Sequence, residues 1–341
     1  MQTPQPASEW FGIEQRAKER SRSSEQKRRE HQRQKEQKAE YVPGETITED
    51  EEWFRHHNWQ GKRQKVRQAL VDAGTSQSAV FNFDQCGAEC TVEWNATEKR
   101  YRCRGCYCHS RHCEPCMRAK SSLITTNLRK IMGKDTKPVH RFITLTLRNT
   151  DAPLKQEIKR LYAAYKQLRA RPEWKSSQKG GAATLEVKYN NATKKWHPHL
   201  HIISEGDYLS TYWLSQTWRD ITGDSHVVDV RKISADKDVA YYVGKYVTKG
   251  TNAEVWETPE VAAEWVKAIK GVRMCATFGT WRGYKLLERP KDEPGAWKPI
   301  ATLGSIVRQA QAGSQWALDL LVHLTTNLSY NPSRPRHHKR E

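Results

Sequence analysis

The sequence predicts an α+β protein with an antiparallel sheet, preceded by a zinc-ribbon-like module. Two observations support this prediction. Segments typical of strands and helices follow one another from residue 140 to residue 249 in the order β-α-β-β-α-β, with one more helix after them. Seven of the eight cysteines lie before that region, between Cys86 and Cys116. The first pattern is typical of the ferredoxin-like or RRM-like arrangement, and the second of a metal-binding module.

Composition narrows the class of protein. The 341 residues include 58 Lys and Arg against 39 Asp and Glu, a net charge of +19, which favours a nucleic-acid partner. No apolar run is long enough to span a membrane, and the polar N-terminus has no apolar stretch typical of a secretory signal. We therefore expect a cytoplasmic protein, without membrane contact and with reduced thiols.

Five segments are predicted along the chain. The first is polar and densely charged, so it cannot bury enough surface to offset the entropy of ordering. The segments are a disordered N-terminal stretch (1–50), a helical segment (51–85), the Cys-rich module (86–120), the α+β core (138–285) and a C-terminal extension with a basic tail (286–341).

The first half of the chain contains three predicted elements. Residues 62–73 combine basic and apolar residues at helical spacing and end near a glycine, which predicts a helix. Residues 140–148 are apolar and β-branched, as in a buried strand. Residues 153–170 carry one apolar stripe and predict an amphipathic helix.

The second half continues the pattern. Residues 182–189 and 196–203 predict two strands joined by a polar turn, as in a hairpin. Residues 208–221 predict an amphipathic helix, and residues 226–233 alternate as a strand does. A helix over 234–249, capped by a serine or aspartate and closed by a glycine, completes the order.

Cysteine spacing predicts structural zinc, as one or two ions. Two cysteine pairs flank a predicted hairpin, which is how a zinc ribbon arranges four thiolates. These pairs are Cys86 with Cys90 and Cys103 with Cys106. The remaining candidates are Cys108, Cys113 and Cys116, with His109 and His112 beside them. They allow a second Cys3His site or another partition of the ligands, so the grouping stays open at this point.

A histidine strand predicts a second metal site. His197, His199 and His201 alternate along one strand, so all three face the same side of the sheet. If the hairpin turns at residues 191–194, Glu186 lies directly opposite His199. Two imidazoles and a carboxylate, with positions left open, suit Mg²⁺ or Mn²⁺ in catalysis. The alternative is a histidine-rich face whose rings are satisfied by hydrogen bonds.

The last predicted helix carries three tyrosines. Tyr242 and Tyr246 lie one turn apart on one face, with Lys245 adding positive charge beside them, and Tyr241 is expected to pack. A tyrosine can act as a covalent nucleophile when a metal ion polarises a phosphodiester. An aromatic pair at helical spacing is by itself more often part of a core, so the assignment depends on the histidine strand.

Taken together, these motifs resemble those of the HUH endonucleases, specifically the rolling-circle replication initiators of plasmids and small phages. The resemblance covers roughly residues 80–285, the region we assign to an HUH endonuclease domain and the zinc module before it. The similar segments are FITLT (142–146), LEVKYN (185–190), HPHLH (197–201), YVGKYVTK (242–249) and CHSRHCEPC (108–116).

The resemblance implies a metal site and a reaction. It makes His199 and His201 the metal pair and Glu186 the third ligand of Mg²⁺ or Mn²⁺, with His197 as an outer or additional ligand. The reaction it implies is the nicking and rejoining of single-stranded DNA at a replication origin, through a 5′-phosphotyrosine intermediate.

The resemblance assigns the nucleophile to Tyr242 or Tyr246, with Lys245 between them. A pair of tyrosines is similar to the phage initiators, in which the two alternate, whereas many plasmid initiators carry one tyrosine and a glutamate. The sequence therefore leaves open whether the replicon is a plasmid or a phage.

Partners and alternative functions also follow. The resemblance implies a bacterial or archaeal host cell, with single-stranded origin DNA and the host replication machinery as partners. The helicase is expected to be a host protein, because the chain contains no G-x-x-x-x-G-K-[ST] sequence, the P-loop that binds nucleotide phosphates. The alternatives are an HUH transposase or relaxase, a metal-dependent nuclease that activates water, and a non-catalytic zinc-containing DNA-binding regulator. The oligomeric state stays open.

Overall fold

A computed structural model describes residues 46–132, 140–233, 250–289 and 292–326. Its helices are α1 (Glu49–His56), α2 (Gln60–Asp72), α3 (Gln77–Asp84), α4 (Glu114–Met132), α5 (Leu154–Leu168), α6 (Pro172–Ser177), α7 (Thr211–Thr222), α8 (Pro259–Ala268), α9 (Leu303–Gln311) and α10 (Gln315–Thr326). Its strands are β1 (Ala88–Asn95), β2 (Arg100–Cys106), β3 (His140–Thr146), β4 (Gln178–Asn190), β5 (Lys195–Gly206), β6 (Val228–Lys232), β7 (Cys275–Gly279) and β8 (Trp297–Thr302). Within these ranges, no helix is both long and apolar enough to cross a membrane.

The strands form two antiparallel sheets, so the predicted α+β class is confirmed. The smaller sheet has the order β2-β1-β8 and the larger one the order β6-β3-β5-β4-β7. Strands β3 to β6 are the four predicted for the α+β core, with α5 between β3 and β4 and α7 between β5 and β6, and β1 and β2 form the hairpin predicted between the cysteine pairs. The ferredoxin-like name for this arrangement stays a prediction.

Local sequence explains where several elements begin and end. At α1, the Thr48 side chain accepts from the Glu51 N–H while the Glu51 carboxylate accepts from the Thr48 N–H, a complete capping box. At α7, the Ser210 hydroxyl accepts from the backbone of the first turn. The same helix ends at Gly223, whose φ of +80° is a conformation that glycine adopts without strain.

The two faces of the larger sheet have different roles. Alternate residues of β5, such as Leu200 and Ile202, are fully buried in the main core, where Trp218 of α7 also lies. The opposite face carries the histidines and continues into a smaller apolar cluster, in which Ile203 is grouped with Leu128 of α4. One face is thus a packed core, and the other positions polar groups on the same rigid strands.

The smaller sheet is completed from the far end of the chain. Strand β8, in the predicted C-terminal extension, pairs with β1 of the cysteine-rich segment. Arg102 is buried there, with its Nε 2.6 Å from the Glu93 carboxylate and its guanidinium carbon 3.9 Å from the centre of the Trp297 ring. The ion pair joins β1 to β2 within the hairpin, and the cation–π contact links this hairpin to β8.

Candidate active site and metal centre

The register of the β4–β5 hairpin brings the predicted metal ligands together. Glu186 pairs with His199, as the position of the turn predicts, and Thr184 pairs with His201. Directly opposed side chains in an antiparallel pair lie on the same face of the sheet. Glu186, His199 and His201 are all buried, so a carboxylate and two imidazoles share one sheltered surface.

His201 is held on both sides of its ring. Its Nε2 lies 2.8 Å from a carboxylate oxygen of Glu186, and its Nδ1 lies 3.2 Å from the Thr144 hydroxyl oxygen. Burial tends to raise the pKa of Glu186, but the hydrogen bond with His201 and the charge of Lys188 outweigh it, so the pKa is lowered overall. Glu186 is therefore an ionised carboxylate next to an imidazole.

His199 is a buried, neutral imidazole. Burial, together with the neighbouring rings of His197 and His201, lowers its pKa to about 3. In the described part of the chain, its buried Nδ1 has no hydrogen-bond partner. The ring of His197 stands edge-on to it, with 4.0 Å between ring centres. A neutral ring with an unsatisfied nitrogen is in the state that binds a metal ion.

Glu186 and His201 stand at the spacing of two ligands of one Mg²⁺ or Mn²⁺ ion, and His199 is the candidate for the third. Two ligands at right angles on Mg²⁺ stand about 3 Å apart, close to the 2.8 Å between His201 and Glu186. All ligands of one such ion lie within about 4.2 Å of one another. Glu186, His199 and His201 do not bring one ligand atom each within 4.8 Å of one another. His199, the third candidate ligand, pairs with Glu186 across the two strands and offers a buried Nδ1 that has no hydrogen-bond partner among the described residues.

Lys188 adds a positive charge to the same face of the sheet. It pairs with His197 on the neighbouring strand and is exposed, two positions beyond the buried Glu186. Its ammonium makes no ion pair with any residue in the ranges that the structure describes. An unpaired cation beside the histidines suits a phosphate group of a bound strand.

The predicted catalytic helix lies outside the described residues. This applies to Tyr241, Tyr242, Lys245 and Tyr246, so their assignment stays a prediction.

Four cysteines form the second candidate metal centre. The sulfur of Cys86 lies 3.6 Å from those of Cys113 and Cys116, and the sulfurs of Cys108 and Cys116 are 3.7 Å apart. All four sulfurs lie within 4.8 Å of one another. Four thiolates at ~2.3 Å from a tetrahedral zinc ion would stand roughly 3.8 Å apart, so the cluster fits zinc. Four protein ligands leave no open position, which is typical of a structural site.

Residues of α1 and the turn after it surround this cluster. Arg55 approaches the Cys116 sulfur with a guanidinium nitrogen at 3.7 Å, and it stacks on the Tyr107 ring. His56 lies 2.6 Å from the Cys86 carbonyl oxygen through Nε2, while its Nδ1 accepts from the Trp59 indole. A cation next to clustered thiolates offsets their negative charge.

The expected two-pair ribbon is not the grouping that the structure builds. The sulfur of Cys86 is grouped with those of Cys108, Cys113 and Cys116, and not with that of Cys90. Cys86 thus occupies the position that a histidine would have in a Cys3His site. His112 is half-buried, loss of solvent around its ring lowers its pKa to about 3, and the ring contacts Trp256 rather than the cluster. Among the described residues, no second group of this kind forms from the remaining cysteines, namely Cys90, Cys103 and Cys106.

Comparison with known families then identifies the chain. A family model described as "Replication protein" matches residues 99–320, well over half of the sequence. The chain belongs to this replication protein family. The resemblance to rolling-circle initiators of the HUH superfamily is thereby confirmed, and replication is favoured over the transposase and relaxase alternatives.

Similar proteins support the same family. A "Protein rep" of Staphylococcus aureus is 26% identical over 208 residues, covering 56% of this chain and 91% of that protein. A "Protein rep" of Streptococcus pneumoniae serotype 2 is 22% identical over 230 residues, covering 63% and 69%. No solved structure matches the chain. These matches support a plasmid replication initiator, which the tyrosine pattern had left open.

Sequence reasoning missed two residues beside the candidate sites of this replication protein. Thr144 lies in a segment singled out as a strand motif, but nothing in its spacing indicated the contact with His201. Arg55 lies 61 residues before Cys116 and carries no motif at all.

Proposed function

We propose that this plasmid replication initiator cuts and rejoins one DNA strand at the origin, and that Glu186, His199 and His201 hold a Mg²⁺ or Mn²⁺ ion there. The observation that carries the proposal is the buried 2.8 Å contact between Glu186 and His201, on strands that also place His199 opposite Glu186. The donor set suits a divalent ion that keeps positions free for a phosphate.

In the proposed reaction, a tyrosine attacks the scissile phosphate. A bound ion would withdraw charge from that phosphate and orient it. The hydroxyl oxygen of Tyr242 or Tyr246 forms a bond to phosphorus while the bond to the 3′ oxygen breaks, and the tyrosine proton ends on that 3′ oxygen. The products are a 5′-phosphotyrosine and a free 3′-hydroxyl, which primes synthesis.

The same step in reverse rejoins the strand. The 3′-hydroxyl attacks the phosphotyrosine and restores the tyrosine, so ligation needs no nucleotide cofactor. With two tyrosines, the second attacks the regenerated origin after one round and releases a circle. Lys245, between them in sequence, is proposed to stabilise the charge that develops on the phosphate. Strand separation is assigned to a host helicase.

The zinc centre has a structural role in this proposal. Cys86, Cys108, Cys113 and Cys116 would hold one ion and connect the start of the hairpin to α4, which packs on the histidine face of the larger sheet. The positively charged chain is proposed to bind origin DNA largely through phosphate contacts.

The test combines a denaturing gel with intact-mass analysis, after incubation of the protein with single-stranded origin DNA and Mn²⁺. Wild type is compared with Tyr242→Phe, Tyr246→Phe, the double variant and Glu186→Ala. We expect a covalent protein–DNA adduct in the wild type, its loss in the double variant and a strong reduction in Glu186→Ala. An adduct lost in one single variant would name a sole nucleophile. Cleavage without any adduct would contradict the tyrosine mechanism and favour attack by water.

A further inference from the structure

Strand β3 presents two threonines to the two candidate metal histidines, but only one makes contact. Thr144 pairs with His201 and Thr146 pairs with His199. The Thr144 hydroxyl oxygen lies 3.2 Å from His201 Nδ1. In the described part of the chain, the Thr146 hydroxyl makes no hydrogen bond, and Nδ1 of His199 has no partner. The two histidines therefore differ in how their rings are held.

The hydrogen-bond partners of His201 determine where a neutral ring carries its hydrogen. An ionised carboxylate can only accept, so the 2.8 Å contact with Glu186 places the hydrogen on Nε2. In this neutral form, Nδ1 carries a lone pair and accepts from the Thr144 hydroxyl. Binding a metal ion through Nε2 requires a lone pair there, so the hydrogen must be on Nδ1, and the Thr144 oxygen must accept it.

A hydroxyl can serve both arrangements, because its hydrogen rotates and its oxygen both donates and accepts. We infer that Thr144 is a positioning residue for His201: its hydroxyl holds the ring in one orientation and changes from donor to acceptor when Nε2 becomes a metal ligand. The hydrogen moves from Nε2 to Nδ1, so the ring stays neutral and no proton is lost overall. The inference rests on the proposed metal site.

The expected size of the effect follows from comparable contacts. A metal-bound histidine almost always donates its other ring hydrogen to a fixed acceptor, and loss of that acceptor typically weakens metal affinity or activity about 10–100-fold. Valine has nearly the shape of threonine and the same branching at Cβ, so Thr144→Val removes the hydroxyl and keeps the strand. Thr146→Val makes the same change two residues further along the strand, opposite His199.

The experiment measures Mn²⁺ binding by calorimetry to the full-length, zinc-loaded protein. We expect Thr144→Val to bind Mn²⁺ about 10–100-fold more weakly than the wild type. Thr144→Ser, which keeps the hydroxyl, and Thr146→Val should both bind like the wild type. Wild-type affinity in Thr144→Val would overturn the inference, and so would an equal loss in Thr146→Val.

A second measurement locates the ring hydrogen in the wild type, and the Glu186→Ala variant separates the inference from the metal site itself. Nitrogen NMR of ¹⁵N-histidine-labelled wild type locates the ring hydrogen of His201, which should be on Nε2 before Mg²⁺ is added and on Nδ1 afterwards. A hydrogen that stays on Nε2 with Mg²⁺ bound would overturn the role of Thr144. Unchanged Mn²⁺ binding in Glu186→Ala would instead refute the proposed metal site, and the inference with it.

Discussion

Lys188 offers a quantitative test of where DNA lies on this protein. Its side chain is exposed on the face that carries Glu186 and the histidines, and it makes no ion pair with the residues that the structure describes. One phosphate contact on single-stranded DNA adds about 0.7 to the slope of log affinity against log salt. Between about 50 and about 200 mM salt, such a contact weakens binding by about 2.6-fold. Lys188→Gln should therefore lose about 2.6-fold less affinity than the wild type over that range.

Fluorescence anisotropy with labelled single-stranded DNA, in buffer without Mg²⁺ or Mn²⁺, measures this slope without cleavage. Lys166→Gln is the matched control, because Lys166 is exposed on α5, whose apolar side packs against the opposite face of the sheet. Both variants lose one positive charge, so a difference between their slopes shows that the location of the lysine, and not the net charge, determines the effect. An unchanged slope in Lys188→Gln, or an equal reduction in Lys166→Gln, would refute a phosphate contact at Lys188.

Four further substitutions test the zinc centre and the packing. Cys86→Ser should lower the zinc content measured by mass spectrometry, whereas Cys103→Ser should retain the ion; equal loss in both would contradict the four-cysteine grouping. Arg102→Met should destabilise the protein by about 3–5 kcal/mol in chemical denaturation, because the Glu93 carboxylate would stay buried without its nearest partner. An unchanged denaturation midpoint would contradict a stabilising role of that ion pair. Trp218→Ala should cost about 3–5 kcal/mol in the same assay because the side chain is fully buried, and a loss below about 1 kcal/mol would mean that the site repacks.

The histidine face was predictable because its causes are local. Alternation along one strand put His197, His199 and His201 on one side, and the length of the turn set the pairing of Glu186 with His199. The structure extends both strands of this hairpin beyond the predicted 182–189 and 196–203, to 13 and 12 residues, without changing the register. The added residues at the start of β4 include glycines, which periodicity alone does not assign to a strand.

Other elements gave weaker local signals. Helix α4 begins inside the segment that spacing had assigned to metal binding, so its apolar stripe was not recognised, although Leu128 packs on the larger sheet. Strand β8 pairs with β1 from about 200 positions away along the chain, and its own residues are mostly exposed. The sequence of one segment alone does not show which distant strand it pairs with, or which helix packs over a sheet.

The sequence by itself determined the α+β class, the hairpin register and the side of the sheet on which the histidines lie, because periodicity and turn position act over a few residues. Only the tertiary structure decided that Cys86 joins the downstream cysteines, that Arg55 reaches Cys116, and that Thr144 contacts His201. The last two contacts join residues 61 and 57 positions apart. Such contacts depend on how complete elements pack against one another, and no local pattern encodes that packing.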